Sequence, residues 1–214
     1  FMVKQAMYLR RQEEPMEEAD VSIRAQADAF VRFVKKNGQL GQFLDMRTET
    51  LEMGGTACGA SAMAALALAY EYLGEESYLE TAEYLGCLYQ KEALDTGIAN
   101  GCPGEICQAC DSEAAFGLLE GYVQLYETTG KEAWLSAAKE AFELAITWVV
   151  SYDFAFPKGR TAEKLGVHTR GTVFANAQNK HSAPGICTWS GNSMLKLYRF
   201  TGDVKYLEWM SRIS

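Results

Sequence analysis

The stretch that decides the fold is QLYETTGKEAWL, at residues 124–135. In it a glycine follows a tyrosine by four residues, and a tryptophan–leucine pair begins four residues after the glycine. Glycine readily adopts the left-handed backbone conformation that ends a helix, and the aromatic–leucine pair begins the apolar face of a second helix. The stretch therefore predicts a helical hairpin with a very short turn.

The same pattern occurs in AYEYLGEESYL at residues 69–79 and in KLYRFTGDVKYL at residues 196–207. The spacing of the three copies is longer and less regular than in tetratricopeptide-type arrays. If the short turns share one end of the hairpins (the turn end), the long connections share the other (the loop end). We name these connections the first (38–56), the central (95–110) and the late connection (152–186). Long connections in a compact domain are usually functional.

Helical periodicity dominates the chain and strand signals are almost absent, which predicts an all-α fold over a single domain, residues 1–214. The first helix of a pair is rich in small residues, as at 57–65 and 113–117, and is expected to belong to an inner layer. The second helices carry stripes of Lys and Glu that suit an outer layer. The predicted helices are 1–13, 19–37, 57–73, 76–94, 111–129, 131–151, 187–201 and 203–214.

Composition excludes several classes of protein. The 214 residues include 20 basic and 28 acidic side chains, for a net charge of −8, and 48% are hydrophobic. These values argue against disorder of the whole chain and against nucleic-acid binding, which needs a basic face. No apolar run approaches the roughly 18 residues of a membrane helix, so we expect a soluble protein without membrane insertion.

The two ends of the chain carry a further expectation. The first residues, FMV, do not form a signal peptide, and the last ones lie within an amphipathic helical pattern without a stop signal. We therefore expect the sequence to be a piece of a longer polypeptide, incomplete at one or both ends. The compartment stays open, a secreted or periplasmic one included, as does the oligomeric state.

Three of the six cysteines, Cys102, Cys107 and Cys110, form a C-x4-C-x2-C pattern that loosely matches the spacing of zinc ligands. A second CxxC pair is missing from the sequence. The interpretation that we favour is three small side chains lining a tight loop, with no metal and no cofactor.

Helical hairpins whose polar connections lead into small-residue inner helices resemble the six-hairpin (α/α)6 toroids. This superfamily includes glycoside hydrolases, unsaturated glycuronyl hydrolases, polysaccharide lyases and N-acylglucosamine 2-epimerases. The resemblance covers about four hairpins, nearly the whole chain. A complete toroid has about twelve helices and the periodicity predicts about eight, which again suggests a fragment. The resemblance implies an oligosaccharide or glycoside substrate, bound at the loop end.

The central connection leads into the predicted helix at 111–129 with three carboxylates. Asp111 suits an N-cap and Glu113 suits a first helical turn, so both have structural interpretations, whereas Glu105 has none. Glycoside hydrolysis uses one carboxylic acid to protonate the leaving oxygen and one carboxylate to activate water or attack carbon. We rank Asp111 first and Glu105 second as catalytic residues, and predict that Glu113 contacts substrate.

The late connection is dense in hydrogen-bonding side chains. Gln178 and Asn179 can bind hydroxyl groups or a carboxylate. His181 is the residue suited to proton transfer near neutral pH, or it pins the loop by a hydrogen bond. Trp189 either stacks on the apolar face of a sugar or packs in the core.

The first connection contains Asp45, Arg47 and Glu49. Arg47 can clamp a substrate carboxylate in a bidentate manner. The favoured interpretation is a local ion network that fixes the loop, because such ion pairs are common.

These residues favour a glycoside hydrolase and leave three alternatives open. A polysaccharide lyase would use a base and neutralise a uronic carboxylate with Asn179, His181 or Arg47. A sugar epimerase would use His181 without cleaving a bond. The fourth hypothesis is a non-enzymatic helical scaffold that binds a partner on its outer face.

Overall fold

The computed structural model describes residues 2–101, 107–178 and 192–213. Those residues form nine α-helices and one two-stranded antiparallel sheet, which confirms the predicted all-α class. The strands are β1 Phe43–Asp45 and β2 Thr50–Met53. The helices are α1 Met2–Arg10, α2 Glu17–Asn37, α3 Ala60–Leu73, α4 Glu76–Tyr89, α5 Ser112–Thr129, α6 Glu132–Ile146, α7 Thr161–Lys164, α8 Asn192–Thr201 and α9 Lys205–Arg212.

Short glycine turns end α3, α5 and α8, as the repeated pattern predicts. Gly74, Gly130 and Gly202 have φ angles of 75°, 67° and 72°. Each glycine N–H donates to the carbonyl of the tyrosine four residues earlier, at 2.8, 2.8 and 2.7 Å respectively. A Cβ at any of the three would meet no atom within 4 Å, so backbone conformation alone requires the glycine. The aromatic ring that follows each turn is buried: Tyr78, Trp134 and Tyr206.

Alternate helices form two layers. The first helices of successive hairpins pack against each other, α1 on α3, α3 on α5 and α5 on α8. The second helices pack outside them, α4 on α3, α6 on α5 and α9 on α8. Small residues let the inner helices approach closely, since a Cβ on Gly121 of α5 would lie 2.9 Å from the carbonyl oxygen of Ala60 in α3. The predicted inner and outer layers are confirmed.

Aromatic side chains join neighbouring hairpins. Tyr126 of α5 meets Phe200 of α8 edge to face, with ring centroids 4.9 Å apart. Phe142 of α6 meets Tyr206 of α9 in the same way at 4.7 Å. Such pairs contribute about 0.5–1.5 kcal/mol beyond their buried area. A hydrogen bond also joins two hairpins, because the buried Tyr122 hydroxyl of α5 donates to the Gly86 carbonyl of α4 at 2.9 Å, and burial raises the pKa of Tyr122.

The structure differs from the sequence prediction where long-range pairing competes with helix. The periodicity predicts a helix to residue 151, but α6 ends at Ile146. The following residues instead pair with the late connection, where the Val150 N–H donates to the Thr172 carbonyl at 2.8 Å and the Phe174 N–H to the Trp148 carbonyl at 3.0 Å. Valine and tryptophan favour extended structure, so these residues pair with the late connection and do not continue α6. Two elements were not predicted: the β1–β2 hairpin and α7.

Within the described ranges, no helix is both long enough and apolar enough to cross a membrane.

Candidate functional site

The central and late connections meet at the N-terminus of α5, at the loop end. Asn100 pairs with Cys110, and Asp111 pairs with Asn176, in two isolated antiparallel bridges. The Ala177 N–H also donates to the Cys110 carbonyl at 2.9 Å. Residues that are far apart along the chain are therefore side by side where the inner helix α5 begins.

Asp111 lies at the centre of this junction and is fully buried. It is the N-cap of α5, since its Oδ1 accepts a hydrogen bond from the Ala114 N–H at 2.7 Å. Its own N–H donates to the Ala99 carbonyl at 3.1 Å. The predicted capping role is confirmed, and the predicted catalytic role stays a prediction that the capping contact does not exclude.

Ser112 fixes the late connection to the start of the same helix. Its hydroxyl and its N–H both donate to the Ala175 carbonyl, at 2.8 and 3.0 Å. Ser112 is buried, as is the neighbouring Asn176. These bonds pre-organise the junction, because the polar groups are already paired within the protein.

The first connection also reaches this junction. The Gln108 side chain donates to the Gly54 carbonyl at 2.8 Å, and the Gln108 N–H donates to Oε1 of Gln42 at 3.2 Å. Gly101 has a φ of 81° and packs so closely on buried Thr56 that a Cβ would lie 2.7 Å from Thr56 Cγ2. All three long connections thus interlock at the loop end.

Two of the predicted substrate-binding residues lie at or beside this junction. Glu113 is half-buried in the first turn of α5. Gln178 is exposed, and its N–H donates to Oδ1 of Asn176 at 3.1 Å. Both are therefore close along the chain to the Asp111–Asn176 bridge.

Arg47 lies in the turn of the β1–β2 hairpin, with its side chain 91% exposed and its Nε 3.6 Å from Oδ1 of Asp45. The predicted ion pair with Asp45 is therefore present. Glu49 instead pairs with Arg32 of α2 at 3.2 Å. The Arg47 N–H, donating to the Asp45 carboxylate at 2.8 Å, lowers the pKa of Asp45. Both acidic residues thus fix the turn, and substrate binding by Arg47 stays a prediction.

The other predicted site residues lie outside the described residues: Glu105, Asn179, His181 and Trp189. The described residues that flank them, Gly101, Cys107 and Gln178, lie at the loop end, since Gly101 donates to the Ala109 carbonyl at 2.9 Å.

The cysteine pattern is only partly described, because Cys102 is outside the described ranges. Cys107 is exposed and Cys110 is half-buried, and both are free thiols. Among the residues that the structure describes, no group of three His, Cys, Asp or Glu side chains could hold a metal ion.

Sequence reasoning missed a polar network on the inner layer. Glu120 of α5 accepts hydrogen bonds from Lys4 of α1, at 2.7 Å, and from the Ser193 hydroxyl of α8. Burial opposes its ionisation, but those two bonds outweigh it and hold the pKa of Glu120 below its usual value. One carboxylate thus ties three inner helices together.

The network continues along α5 toward the turn end. Lys196 of α8 donates to Oε1 of Gln124 at 3.3 Å and pairs with Glu127. These side chains, with Glu71 of α3, line a cavity of about 310 Å³. The sequence carried one sign of this network: Glu120, Gln124 and Glu127 recur at helical spacing, which places three polar side chains on one face of an apolar helix.

No protein-family model matches the chain, and no curated protein matches it in sequence. The similarity to six-hairpin toroids therefore remains a resemblance that the repeated hairpins carry.

Proposed function

We propose that the protein is a glycoside hydrolase whose active site lies at the loop end, around the N-terminus of α5. The observation that supports this proposal is the meeting of the central and late connections at Asp111, with the first connection held against the central one through Gln108. It places a carboxylate, the Asn176 amide and the flanks of the segments with Glu105 and His181 at one end of the inner helices.

In this proposal Asp111 and Glu105 divide the two carboxylate roles. One protonates the leaving oxygen of the scissile bond, and the other activates water or attacks the anomeric carbon. Gln178 and Asn176 supply hydrogen bonds that orient sugar hydroxyls. Asp111 is fully buried, so this proposal requires the central and late connections to separate at the junction before a sugar can reach the carboxylate.

The test separates the capping role of Asp111 from a catalytic one. Asparagine caps a helix about as well as aspartate does, because its side-chain oxygen accepts the same N–H. Asp111→Asn therefore keeps the bond to Ala114 and removes the acid–base group. The matched control is Asp203→Asn at the turn end, where Asp203 accepts the Lys205 N–H at 3.0 Å.

Each variant is assayed for reducing ends released from a panel of oligosaccharides and aryl glycosides. We expect hydrolysis by the native protein and by Asp203→Asn, and a loss of about 100-fold or more in Asp111→Asn. Full activity of Asp111→Asn would rule out Asp111 as the acid and leave Glu105→Gln as the decisive variant.

The same reactions discriminate the alternatives. A lyase forms a new double bond, so its products absorb in the ultraviolet. An epimerase changes the stereochemistry of a monosaccharide and releases no reducing end. A protein that neither binds nor changes any sugar in the panel is the helical scaffold, and that result contradicts the proposal.

A further inference from the structure

A second concavity lies away from Asp111, between the base of the late connection and α9. Its volume is about 620 Å³. One wall is formed by residues 149–151 with Arg170 and Gly171, and the other by Trp209, Ser211 and Arg212. From Gly171 the chain runs on to Asn176 at the junction, which at 3.3 Å per extended residue is a separation of at most about 16 Å.

The charge in this cavity is positive. Two arginines line it, Arg170 and Arg212, and none of the described residues that line it is acidic. In the described part of the chain, the Arg170 guanidinium has no hydrogen-bond or ion-pair partner. Arg212 has only a weak pair, its guanidinium lying 3.8 Å from the Glu208 carboxylate with both side chains 61% exposed.

The surrounding sequence has the same bias. Residues 152–170 carry four basic and two acidic side chains, whereas the chain as a whole has a net charge of −8. Both of those acidic side chains are used inside the loop: Glu163 accepts the Gly159 N–H at 3.1 Å, and Asp153 accepts the Arg170 N–H at 3.0 Å. This part of the surface therefore attracts anions.

The backbone that carries Arg170 is held in place. Asp153 accepts N–H bonds from Arg170 and Thr169, and its other oxygen lies 3.2 Å from Nδ1 of His168. On the other side of Arg170, the Gly171 N–H donates to the Val150 carbonyl at 2.8 Å. A fixed backbone reduces the entropy lost when a ligand binds.

Trp209 supplies an apolar wall. Its side chain is half-buried, and the Arg212 guanidinium lies 5.4 Å from the centre of its ring. The indole face therefore adjoins a cation, which suits a ligand that has both a flat apolar face and a negative charge.

We infer that this cavity binds a carboxylate carried on a ring, with Arg170 and Arg212 holding the carboxylate and Trp209 covering the face of the ring. Guanidinium groups bind carboxylates through paired, charge-assisted hydrogen bonds. Sugar acids and aromatic acids share this chemistry. The inference does not depend on the hydrolysis proposed above, because the two sites share no residue.

Binding is measured by calorimetry on the full chain, at low salt, with glucuronate, benzoate and glucose as probes. In a ¹⁵N-labelled sample, the indole N–H signal of Trp209, assigned with Trp209→Phe, reports the location. We expect the carboxylates to bind and to shift that signal, and neutral glucose not to bind. Tighter binding of glucuronate than of benzoate would assign the ligand to the sugar acids, and the reverse order to the aromatic acids.

Arg170→Gln and Arg212→Gln are each expected to weaken carboxylate binding about tenfold or more. Arg160→Gln is the matched control, an arginine of the same loop that does not line the cavity, and it should bind as the native protein does. The inference is overturned if glucose binds as well as the carboxylates, if both cavity variants keep native affinity, or if neither carboxylate binds at tens of millimolar.

Discussion

The two ends of the helical hairpins are built by different means. At the turn end, the Gly130 N–H donates to the Tyr126 carbonyl, and the contact involves only neighbouring residues. At the loop end, Asp111 pairs with Asn176 and the Asp111 N–H donates to the Ala99 carbonyl, so the central connection must meet the distant late connection. A substitution at a local turn is expected to cost less stability than one at an interlocked junction. The chemistry proposed for this protein is at the interlocked end.

Gly101→Ala tests this difference with the largest expected effect. Alanine at Gly101 must adopt a φ of 81° and also place its Cβ 2.7 Å from Thr56 Cγ2. The conformational cost and the overpacking together should destabilise the fold by about 3 kcal/mol. Equilibrium unfolding in urea measures the loss.

Gly97→Ala is the control in the same connection. Gly97 also has a positive φ, of 67°, but a Cβ there would meet no atom within 4 Å. Its cost should be the conformational part alone, about 1 kcal/mol. If the two variants are equally stable, the loop end is not interlocked in the way we describe.

Asp111→Ala is expected to destabilise the protein by about 2 kcal/mol, because it removes a cap and leaves the Ala114 N–H buried without its acceptor. Asp111→Asn should stay within about 0.5 kcal/mol of the native protein, since it caps equally well. Thermal unfolding followed by circular dichroism compares the two. An equal loss in both variants would mean that the negative charge, and not the cap, stabilises the junction.

At the turn end the expected effects are smaller. Gly130→Ala changes nothing but the cost of a positive φ, so we expect a loss of about 1 kcal/mol. Gly117→Ala, inside α5, should instead stabilise by up to about 1 kcal/mol, because its Cβ would lie at an ordinary 3.8 Å from Ala60. Urea unfolding of both variants tests these opposite signs, and a stabilising Gly130→Ala would contradict the left-handed turn.

The same contrast explains what the sequence could predict. The turns after Tyr70, Tyr126 and Tyr198 were predictable because their determinants are local. A glycine ends one helix, and the aromatic residue a few positions later begins the buried face of the next. The capping role of Asp111 was predictable from residue type, but its pairing with Asn176 was not, since no periodicity connects positions so far apart. Extended pairing of residues 148–150 likewise ended α6 earlier than its periodicity indicates.

The cavity beside α9 was missed for a related reason. Arg170 lies in a loop and Arg212 in an amphipathic helix. Arginines are usually exposed to solvent in both settings, so neither residue indicates a binding site from the sequence alone. Only the packing of α9 beside the chain at 149–151 brings Arg170, Arg212 and Trp209 to the lining of one cavity. A sequence pattern records neither that packing nor the bonds that fix the Arg170 backbone.

The smallest expected effect concerns Asp153. N–H bonds from Arg170 and Thr169, with the contact to His168, lower the pKa of Asp153 to about 2. Because the folded-state pKa is depressed, the stabilisation is fully present above the unfolded value, about 3.9, and is lost as the pH falls through about 2. The group is exposed, so we expect little change in global stability.

The Asp153 titration is followed by NMR through the amide signals of Thr169 and Arg170, because both N–H groups donate hydrogen bonds to the Asp153 carboxylate. Their midpoint should lie near pH 2, and Asp153→Asn should remove the transition. In that variant the asparagine oxygen still accepts the Arg170 N–H without the negative charge, and the guanidinium is unchanged, so carboxylate binding beside α9 should weaken less than in Arg170→Gln. A midpoint near pH 4 would mean that the loop does not hold Arg170 as the structure describes, and the pre-organisation argued for that cavity would fail with it.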